Sequence, residues 1–343
     1  MVARLWKDLP VTSVGIVGAG RAATLHAEAV RAASGVTLAG VSASSPDSPR
    51  AAALAGALDC PVLTPAELAR VCDVAVIATP PASRVEVAAA LAESRRLRAM
   101  LVESPAATTL GGVAELAAAL PDHPIMAAVN LLHAPVVRRM LDAVTVMEPH
   151  HLELRLGVPD PARGPDSGRA FGGGVTLDPG AGFWPVVTAA MGSAIESVAV
   201  SRADVVDGLD RAALIVLRSV AGRTARADLR WDARVAEAAL EAADSAHVAR
   251  VDIWPVPVAE IDGALVGSPG DSSHPLAALG FVAQIERLAR VAHGGAHPWP
   301  DLDAGSLSLT VAAAAAVSVR RGGVAVNVRE VPGDASPFEI LSA

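Results

Sequence analysis

Short apolar runs and amphipathic segments alternate along the first 130 residues. Six runs have the length and near-continuous apolar character of buried parallel strands. They lie at residues 14–17, 36–42, 62–63, 73–78, 97–102 and 125–129. Helical patterns separate them, and one of these begins with Thr64, Pro65 and Glu67, which together are typical of a capped helix start. The alternation predicts an α/β fold class, with a doubly wound, parallel Rossmann sheet over residues 1–130.

The pattern changes beyond residue 130. Residues 144–158 are predicted to be extended, and residues 159–174 form a loop rich in Pro and Gly. Further segments resemble long antiparallel strands, at 197–203, 213–220, 224–231 and 246–256. Helices are predicted at 281–293 and 306–319, followed by a strand at 324–328. These elements predict an α+β domain over residues 131–343, with a large open, mostly antiparallel sheet for substrate binding and oligomerisation.

One turn carries a binding signature. Gly18-Ala19-Gly20-Arg21-Ala22-Ala23 follows the first strand and precedes a helix, and it matches G-x-G-x-x-[G/A]. Gly18 permits a tight turn, Gly20 lets the backbone approach a pyrophosphate, and Ala23 allows close packing. The N–H groups of the helix face the anion, so the turn predicts a dinucleotide site.

The end of the second strand bears on the choice of cofactor. An acidic residue there would bind the ribose 2′-hydroxyl and repel a 2′-phosphate. Here Ser44 and Ser45 follow the strand, with no acid before Asp47 and with Arg50 soon after. Hydroxyls and a guanidinium favour NADP over NAD, although NAD remains possible and the segment could be only a polar loop with a helix cap.

Composition narrows the partners. A net charge of −8 without a basic cluster argues against nucleic acid, and no apolar run looks long enough to span a membrane. Residues 1–10 lack a secretory signal, which predicts a cytoplasmic protein. Cys60 and Cys72 form neither a disulfide framework nor a metal site, and no metal is expected. The chain has no Tyr, and Lys7 is its only Lys, so a Lys or Tyr proton donor in a pocket is almost excluded.

Several weak motifs occur together in one order. They are Gly18–Ala23, the Thr79-Pro80-Pro81 segment, Glu103-x-Pro105 and Gly172-Gly-Gly-x-x-x-Asp178-x-Gly180. In these the chain resembles the Gfo/Idh/MocA oxidoreductases, which include glucose–fructose oxidoreductase and inositol 2-dehydrogenase. The resemblance covers nearly the whole chain and implies NAD(P)-dependent hydride transfer on a small-molecule substrate.

The chain departs from that family where protons are handled. Ser104 stands where the family usually has Lys, and Gly182 stands where it has the acid/base His. We therefore predict Asp178 and His133 as catalytic candidates, since Asp178 keeps its family position and His133 lies just past a strand end. The alternatives are that Asp178 caps a helix and that His133 is an ordinary residue at the pocket rim.

Cofactor contacts are predicted at strand ends and at the first helix, where such sheets bind ligands. The predicted residues are Gly18, Gly20, Arg21, Ala22, Ser44, Ser45, Thr79, Pro80, Pro81, Arg84, Glu103 and Asn130. His274 is a further candidate to line the pocket, and His26 is expected to pack in the first helix.

Two classes of function follow. The first is an oxidoreductase that acts on a sugar-like carbinol or ketone, or on an imine of secondary metabolism, whose nitrogen can arrive already protonated. The second is a non-redox enzyme (a cyclase, lyase or isomerase) or a non-catalytic partner on the same scaffold. A homo-oligomer, dimer or tetramer, is expected because an open sheet would otherwise expose an apolar face.

Overall fold

Two sheets organise the computed structural model. It describes residues 10–43, 45, 47–161 and 170–343, so Lys7, Ser44 and half of the predicted 159–174 loop lie outside the described residues. Sheet A has six strands from the N-terminal part of the chain, and sheet B has nine strands from the C-terminal part.

Sheet A is parallel, with the strand order β3-β2-β1-β4-β5-β6. Its strands are β1 (Thr12–Val17), β2 (Val36–Ser42), β3 (Val62–Leu63), β4 (Val74–Ile77), β5 (Ala99–Glu103) and β6 (Ile125–Ala128). Every residue of β4 and β6 is buried, which explains their continuous apolar runs. The predicted doubly wound sheet is confirmed.

Five helices from this part of the chain cover sheet A. They are α1 (Arg21–Ala32), α2 (Pro49–Leu58), α3 (Pro65–Val71), α4 (Arg84–Ala92) and α5 (Leu110–Ala119). Apolar side chains of α1 and α2 pack on one face, and those of α3, α4 and α5 pack on the other. The chain order reverses between β1 and β4, and ligands bind at such a reversal in sheets of this kind.

Sheet B is mostly antiparallel, with the order β14-β13-β12-β11-β7-β10-β9-β8-β15, and β7 and β10 pair in parallel. Its strands are β7 (His151–Gly157), β8 (Ile195–Val206), β9 (Leu209–Ser219), β10 (Thr224–Arg230), β11 (Glu237–Ala243), β12 (Val248–Trp254), β13 (Val258–Ile261), β14 (Ala264–Gly267) and β15 (Val326–Asn327). The predicted fold class is confirmed in this part as well.

The remaining described helices are α6 (Pro135–Met147), α7 (Trp184–Met191), α8 (Pro275–Ala278), α9 (Phe281–Ala292), α10 (Leu302–Arg320) and α11 (Pro337–Ser342). The inner face of sheet B packs against α6, α7 and α10. Helix α9 returns to the first sheet and packs against α1, β4 and β5. The division of the chain at residue 130 stays a prediction.

One local prediction was wrong, and three strands were missed. Residues 144–147 end helix α6 rather than begin a strand, because Val136, Val137, Met140 and Val144 form one buried helical stripe. Strands β11, β13 and β14 were missed. The Ala, Glu and Leu residues of β11 favour helix by intrinsic propensity, which explains why that strand was missed.

The prediction that no apolar run is long enough to span a membrane was also wrong. Helix α10 has 19 residues and a mean hydropathy of 1.5, which suffice by length and composition. In the structure 56% of that window is buried, because α10 packs between β8 on one side and β6 and α5 on the other. Its apolar character is that of a helix between two sheets.

Candidate cofactor site and adjoining pocket

The turn after β1 requires glycine at position 18. Gly18 has φ +127°, and a Cβ there would lie 2.7 Å from the carbonyl oxygen of Ala78. Its N–H donates to the carbonyl oxygen of Ser42 over 2.7 Å. The turn is thus fixed between the carboxyl ends of β2 and β4.

Gly20 faces open space instead. It is the N-cap of α1, and a Cβ built on it would meet nothing within 4 Å. No side chain caps the helix, and its first turn carries no acidic residue. The first N–H groups of α1, around Arg21 and Ala22, therefore present an uncovered positive end of the helix dipole, which suits a pyrophosphate.

Three buried hydroxyl groups lie at strand ends without a hydrogen-bond partner. They are the Oγ of Ser42, the last residue of β2, the Oγ1 of Thr79 after β4 and the Oγ of Ser104 after β5. A buried hydroxyl without a partner is costly, so groups of this kind indicate a ligand or bound water. All three lie at the edge where a parallel sheet binds its cofactor, and the residues present fit a dinucleotide.

Arg84, a predicted cofactor residue, binds three backbone carbonyl groups of the neighbouring loops. Only 5% of the residue is exposed, and its guanidinium donates to the carbonyl oxygens of Thr79, Glu103 and Pro105. Burial lowers the pKa of Arg84 to about 10, and the Glu103 carboxylate partly opposes that shift. Arg84 therefore ties the loops after β4 and β5 together.

Glu103 is held by a histidine that the sequence did not single out as a site residue. The Oε1 of Glu103 lies 2.6 Å from Nε2 of His26, which α1 buries completely. Its Oε2 accepts from the N–H of Ser104 at 3.1 Å. Burial raises the pKa of the Glu103 carboxyl, but the His26 hydrogen bond and the charges of His26 and Arg84 outweigh it and hold the pKa below its ordinary value.

The other predicted cofactor residues have varied surroundings. Pro81 is buried at the start of the 3₁₀ turn Pro81–Ser83, whereas Pro80 is exposed. Ser45 is exposed, and its Oγ accepts from the N–H of Asp47 at 3.2 Å. Asn130 uses its Nδ2 to donate to the carbonyl oxygen of Leu279 at 2.8 Å, which links the end of β6 to the segment before α9.

Asp178 lies on a glycine-rich turn that β9 holds in place. The buried Asp210 carboxylate accepts the N–H of Gly174 at 3.1 Å and the N–H of Thr176 at 2.9 Å. Asp178 itself is half-buried, and its N–H donates to the carbonyl oxygen of Gly174. It is not the N-cap of the next helical elements, since Pro179 and Phe183 occupy those positions.

Gly182 leaves space in front of the β6 end. A Cβ at this position would have Leu131 Cδ1, at 4.0 Å, as its nearest atom. The predicted room at the family's His position is therefore present, and it faces Leu131 rather than His133.

The His133 side chain packs against Trp299. Its ring meets the ring of Trp299 edge-on, with centroids 5.3 Å apart, and its Nε2 is buried without a hydrogen-bond partner. Burial, followed by the charges of Arg287, Arg138 and Arg290, lowers the pKa of His133 to about 4. The imidazole is therefore neutral at pH 7.

A pocket of about 340 Å³ is lined by residues from the end of β12 and from the segment 269–279. It lies at the carboxyl end of β12, and His274 is among its lining residues. Trp254, in its wall, contacts Phe183 edge-on with ring centroids 5.7 Å apart. Among the described residues, no three His, Cys, Asp or Glu side chains are placed to hold a metal ion.

The fold and the open turn define a dinucleotide-binding α/β protein with a second, large sheet. Residues 12–131 match the Gfo/Idh/MocA family model, described as an oxidoreductase family with an NAD-binding Rossmann fold. Over this region the chain matches the Gfo/Idh/MocA oxidoreductase family, and the resemblance predicted from the sequence is confirmed for residues 12–131.

Solved structures share the fold over almost the whole chain. A myo-inositol dehydrogenase from Corynebacterium glutamicum is 20% identical, with a TM-score of 0.76 over 93% of this chain and 99% of that one. GenD2 from gentamicin A biosynthesis, in complex with NAD, is 20% identical, with a TM-score of 0.79 over 93% and 97%. A protein from Desulfitobacterium hafniense, provisionally named an NADPH-dependent oxidoreductase, is 15% identical, with a TM-score of 0.80 over 94% and 98%. Comparison with curated proteins finds no significant match.

Proposed function

We propose that the protein is an NAD(P)-dependent oxidoreductase that acts on a small molecule at the junction of sheet A and the Gly180–Gly182 turn. The observation that carries this proposal is the uncovered α1 N-terminus at Gly20, with the unpartnered hydroxyls of Ser42, Thr79 and Ser104 beside it. When bound, the nicotinamide would supply or accept the hydride. The free thiols of Cys60 and Cys72 support a reducing, cytoplasmic setting.

The chain's own residues have distinct tasks in this proposal. The first N–H groups of α1 bind the pyrophosphate, while the Thr79 and Ser104 hydroxyls donate to the bound cofactor. His26 fixes the Glu103 carboxylate at the end of β5, and Arg84 fixes the loops that carry both hydroxyls.

We favour NADP as the cofactor. The described residues just after β2 include no acidic side chain before Asp47, and Ser45 and Arg50 are exposed there. A guanidinium and hydroxyls suit a 2′-phosphate, whereas a carboxylate would repel it.

We assign proton transfer to Asp178 rather than to His133. Asp178 lies on the turn that leads to Gly182, whereas the His133 ring packs on Trp299 and its lowered pKa makes it a weak proton acceptor. A carbinol or ketone needs such a group, and an imine with a protonated nitrogen needs it less.

A second candidate, a non-redox lyase, cyclase or isomerase or a non-catalytic partner, has one observation in its favour. Ser104 and Gly182 replace both proton-handling residues of the family. The cofactor measurements below separate the two, because loss of dinucleotide binding would remove the reason for the oxidoreductase.

The first test changes Gly20 to Val. The position is extended and empty, so the fold should persist while the side chain blocks the pyrophosphate. Fluorescence titration should show NADPH affinity reduced by about tenfold or more, a loss of roughly 1.4 kcal/mol. NADPH should bind the parent protein more tightly than NADH.

Gly56→Val is the matched control, because Gly56 also faces open space but lies far along α2. Equal NADPH affinity for Gly20→Val and the parent protein would exclude the site. Tighter binding of NADH than of NADPH would exclude the cofactor preference alone.

The second test concerns the proton and requires a turned-over substrate. Asp178→Asn should lower kcat by about 10² to 10⁴, the usual cost of losing a general acid or base. His133→Phe should retain most of the turnover, and Ser104→Ala, which loses one cofactor contact, should raise KM for NADPH while retaining most of kcat. Full activity in Asp178→Asn would leave the substrate itself or bound water as the proton carrier.

A further inference from the structure

The pocket at the end of β12 is lined mainly by apolar side chains, and several of them are prolines. Its lining includes Trp254, Pro255 and Pro257 from the end of β12, together with Pro269 and Pro275 from the segment before α8. Ile253, Ala278 and Leu279 complete the apolar part. No carboxylate, guanidinium or ammonium group belongs to this lining.

Such walls discriminate between ligand types. Each hydroxyl of a sugar or cyclitol that enters a pocket needs a hydrogen-bond partner, and a buried hydroxyl without one costs about 1–3 kcal/mol. The polar groups among the lining side chains are the two serine hydroxyls, the His274 imidazole and the indole N–H of Trp254. A flat, uncharged ring would instead lie against the Trp254 indole and the proline rings and lose no hydrogen bonds.

His274 gives the pocket one directed donor. It is the N-cap of α8, and its Nδ1 accepts the N–H of Leu276 at 3.1 Å. In the neutral ring the proton therefore resides on Nε2, so His274 offers an N–H to an acceptor atom on the ligand.

Two wall residues of the pocket contact residues of the site already described. The carbonyl oxygen of Leu279, in its wall, accepts from Asn130 at the end of β6. The Trp254 ring, in another wall, contacts Phe183, the residue after Gly182. The pocket is therefore linked to the end of β6 and to the Gly180–Gly182 turn through Leu279 and Trp254.

We propose that this pocket binds the flat, uncharged aromatic or heteroaromatic ring of the substrate. An acceptor atom of that ring would accept a hydrogen bond from the Nε2–H of His274. The assignment of this ring to a substrate rests on the proposed function, whereas the binding of such a ring to the pocket does not. A volume of about 340 Å³ is near the lower end of the range for small-molecule sites, which suits one or two fused rings. The assigned substrate is thus a ring-bearing compound and not a polyol.

Quinoline is a suitable probe, because it is flat, apolar and carries one ring nitrogen as an acceptor at neutral pH. Saturation-transfer NMR and tryptophan fluorescence should report saturable quinoline binding to the full-length protein. myo-Inositol, a polyol without a ring acceptor, should give no saturable signal and should not displace quinoline.

Two variants locate the probe. Ala278→Leu adds bulk inside the pocket and should weaken quinoline binding about tenfold or more. His274→Asn keeps a side chain that can cap α8 but removes the Nε2 donor, so it should weaken quinoline several-fold and leave binding of naphthalene, which has no acceptor, unchanged. Thermal unfolding checks that both variants fold.

NADPH titration of the same samples separates this proposal from the proposed function. If NADPH binds the parent protein while quinoline does not, or while quinoline binds Ala278→Leu equally well, the pocket assignment is wrong and the cofactor site stands. If quinoline binds as expected and NADPH does not, the oxidoreductase proposal is wrong and the pocket stands. Competitive binding by myo-inositol would also overturn the assignment.

Discussion

At the scale of single residues, burial decides which histidines are available for chemistry. His26 is fully buried yet bound to Glu103, so it acts as a support for the end of β5. His133 is buried against Trp299 with one ring nitrogen unpartnered, which disfavours the charged form. His274 retains a donor beside an apolar pocket. Three histidines of one sequence thus have three different roles.

The environment of His133 predicts a pH dependence of stability. Its pKa falls from an ordinary 6.5 to about 4 in the folded chain, chiefly through burial. The unfolded state therefore takes up a proton at a higher pH than the folded state. The contribution of neutral His133 to the free energy of unfolding is complete above pH 6.5. It is lost as the pH falls toward 4, and the total loss is at most about 3 kcal/mol.

Urea unfolding at pH 7 and at pH 5 measures this effect. His133→Phe keeps a ring against Trp299 without a titratable nitrogen, so it should lose less stability between the two pH values than the parent protein. An identical loss in both proteins would show that His133 does not contribute.

At the scale of elements, one strand holds the turn on which the candidate acid/base lies. Asp210, at the start of β9, receives two N–H groups of the 174–176 turn, and its own carbonyl oxygen accepts the N–H of Val175. Burial raises the pKa of Asp210, although hydrogen bonds from Thr176 and Gly174 oppose that effect. A carboxyl with a raised pKa costs folding free energy at neutral pH, so its value lies in the turn that it orders.

Asp210→Ala should release that turn. The N–H groups of Gly174 and Thr176 would lose their acceptor, and each buried donor left unpaired costs about 1–3 kcal/mol. Hydrogen exchange should be faster in a peptide covering residues 174–178. Asp204→Ala, an exposed change on β8, is the control and should leave that peptide protected. Unchanged exchange in Asp210→Ala would contradict the positioning role.

At the scale of the whole molecule, the outer face of sheet B differs from the apolar face on which the oligomer prediction relied. Pairs such as Arg155 with Glu153, Arg230 with Glu237 and Arg250 with Asp252 lie on it. Apolar side chains such as Val216 occur among these charges. Oligomerisation stays a prediction. We expect the charged outer face of sheet B to form the interface, which would then be largely ionic.

We expect light scattering at low salt to give a mass of at least twice the 34.6 kDa of one chain. Because exposed charges are screened by salt, the mass should fall at 1 M salt, where the Debye length is about 3 Å. Arg250→Glu should favour the smaller species at every salt concentration. A single-chain mass at low salt would refute the prediction.

The sequence by itself determined sheet A and its cofactor turn. Their signals are local: apolar runs of strand length, a G-x-G-x-x-A turn, and caps such as Thr64 with Glu67, which forms the predicted capping box. The tertiary structure decided the rest. Strand β11 consists of helix-forming residues and becomes a strand because β7 and β12 pair with it on both sides.

The contacts that define the candidate site join residues far apart in the chain. Glu103 meets His26 across 77 positions, Asn130 meets Leu279 across 149, and His133 is buried by Trp299. Spacing in a sequence carries no signal for such pairs, because they arise only when separate elements pack. Only the folded chain could therefore show that His133 packs against Trp299 and that an apolar pocket forms at the end of β12.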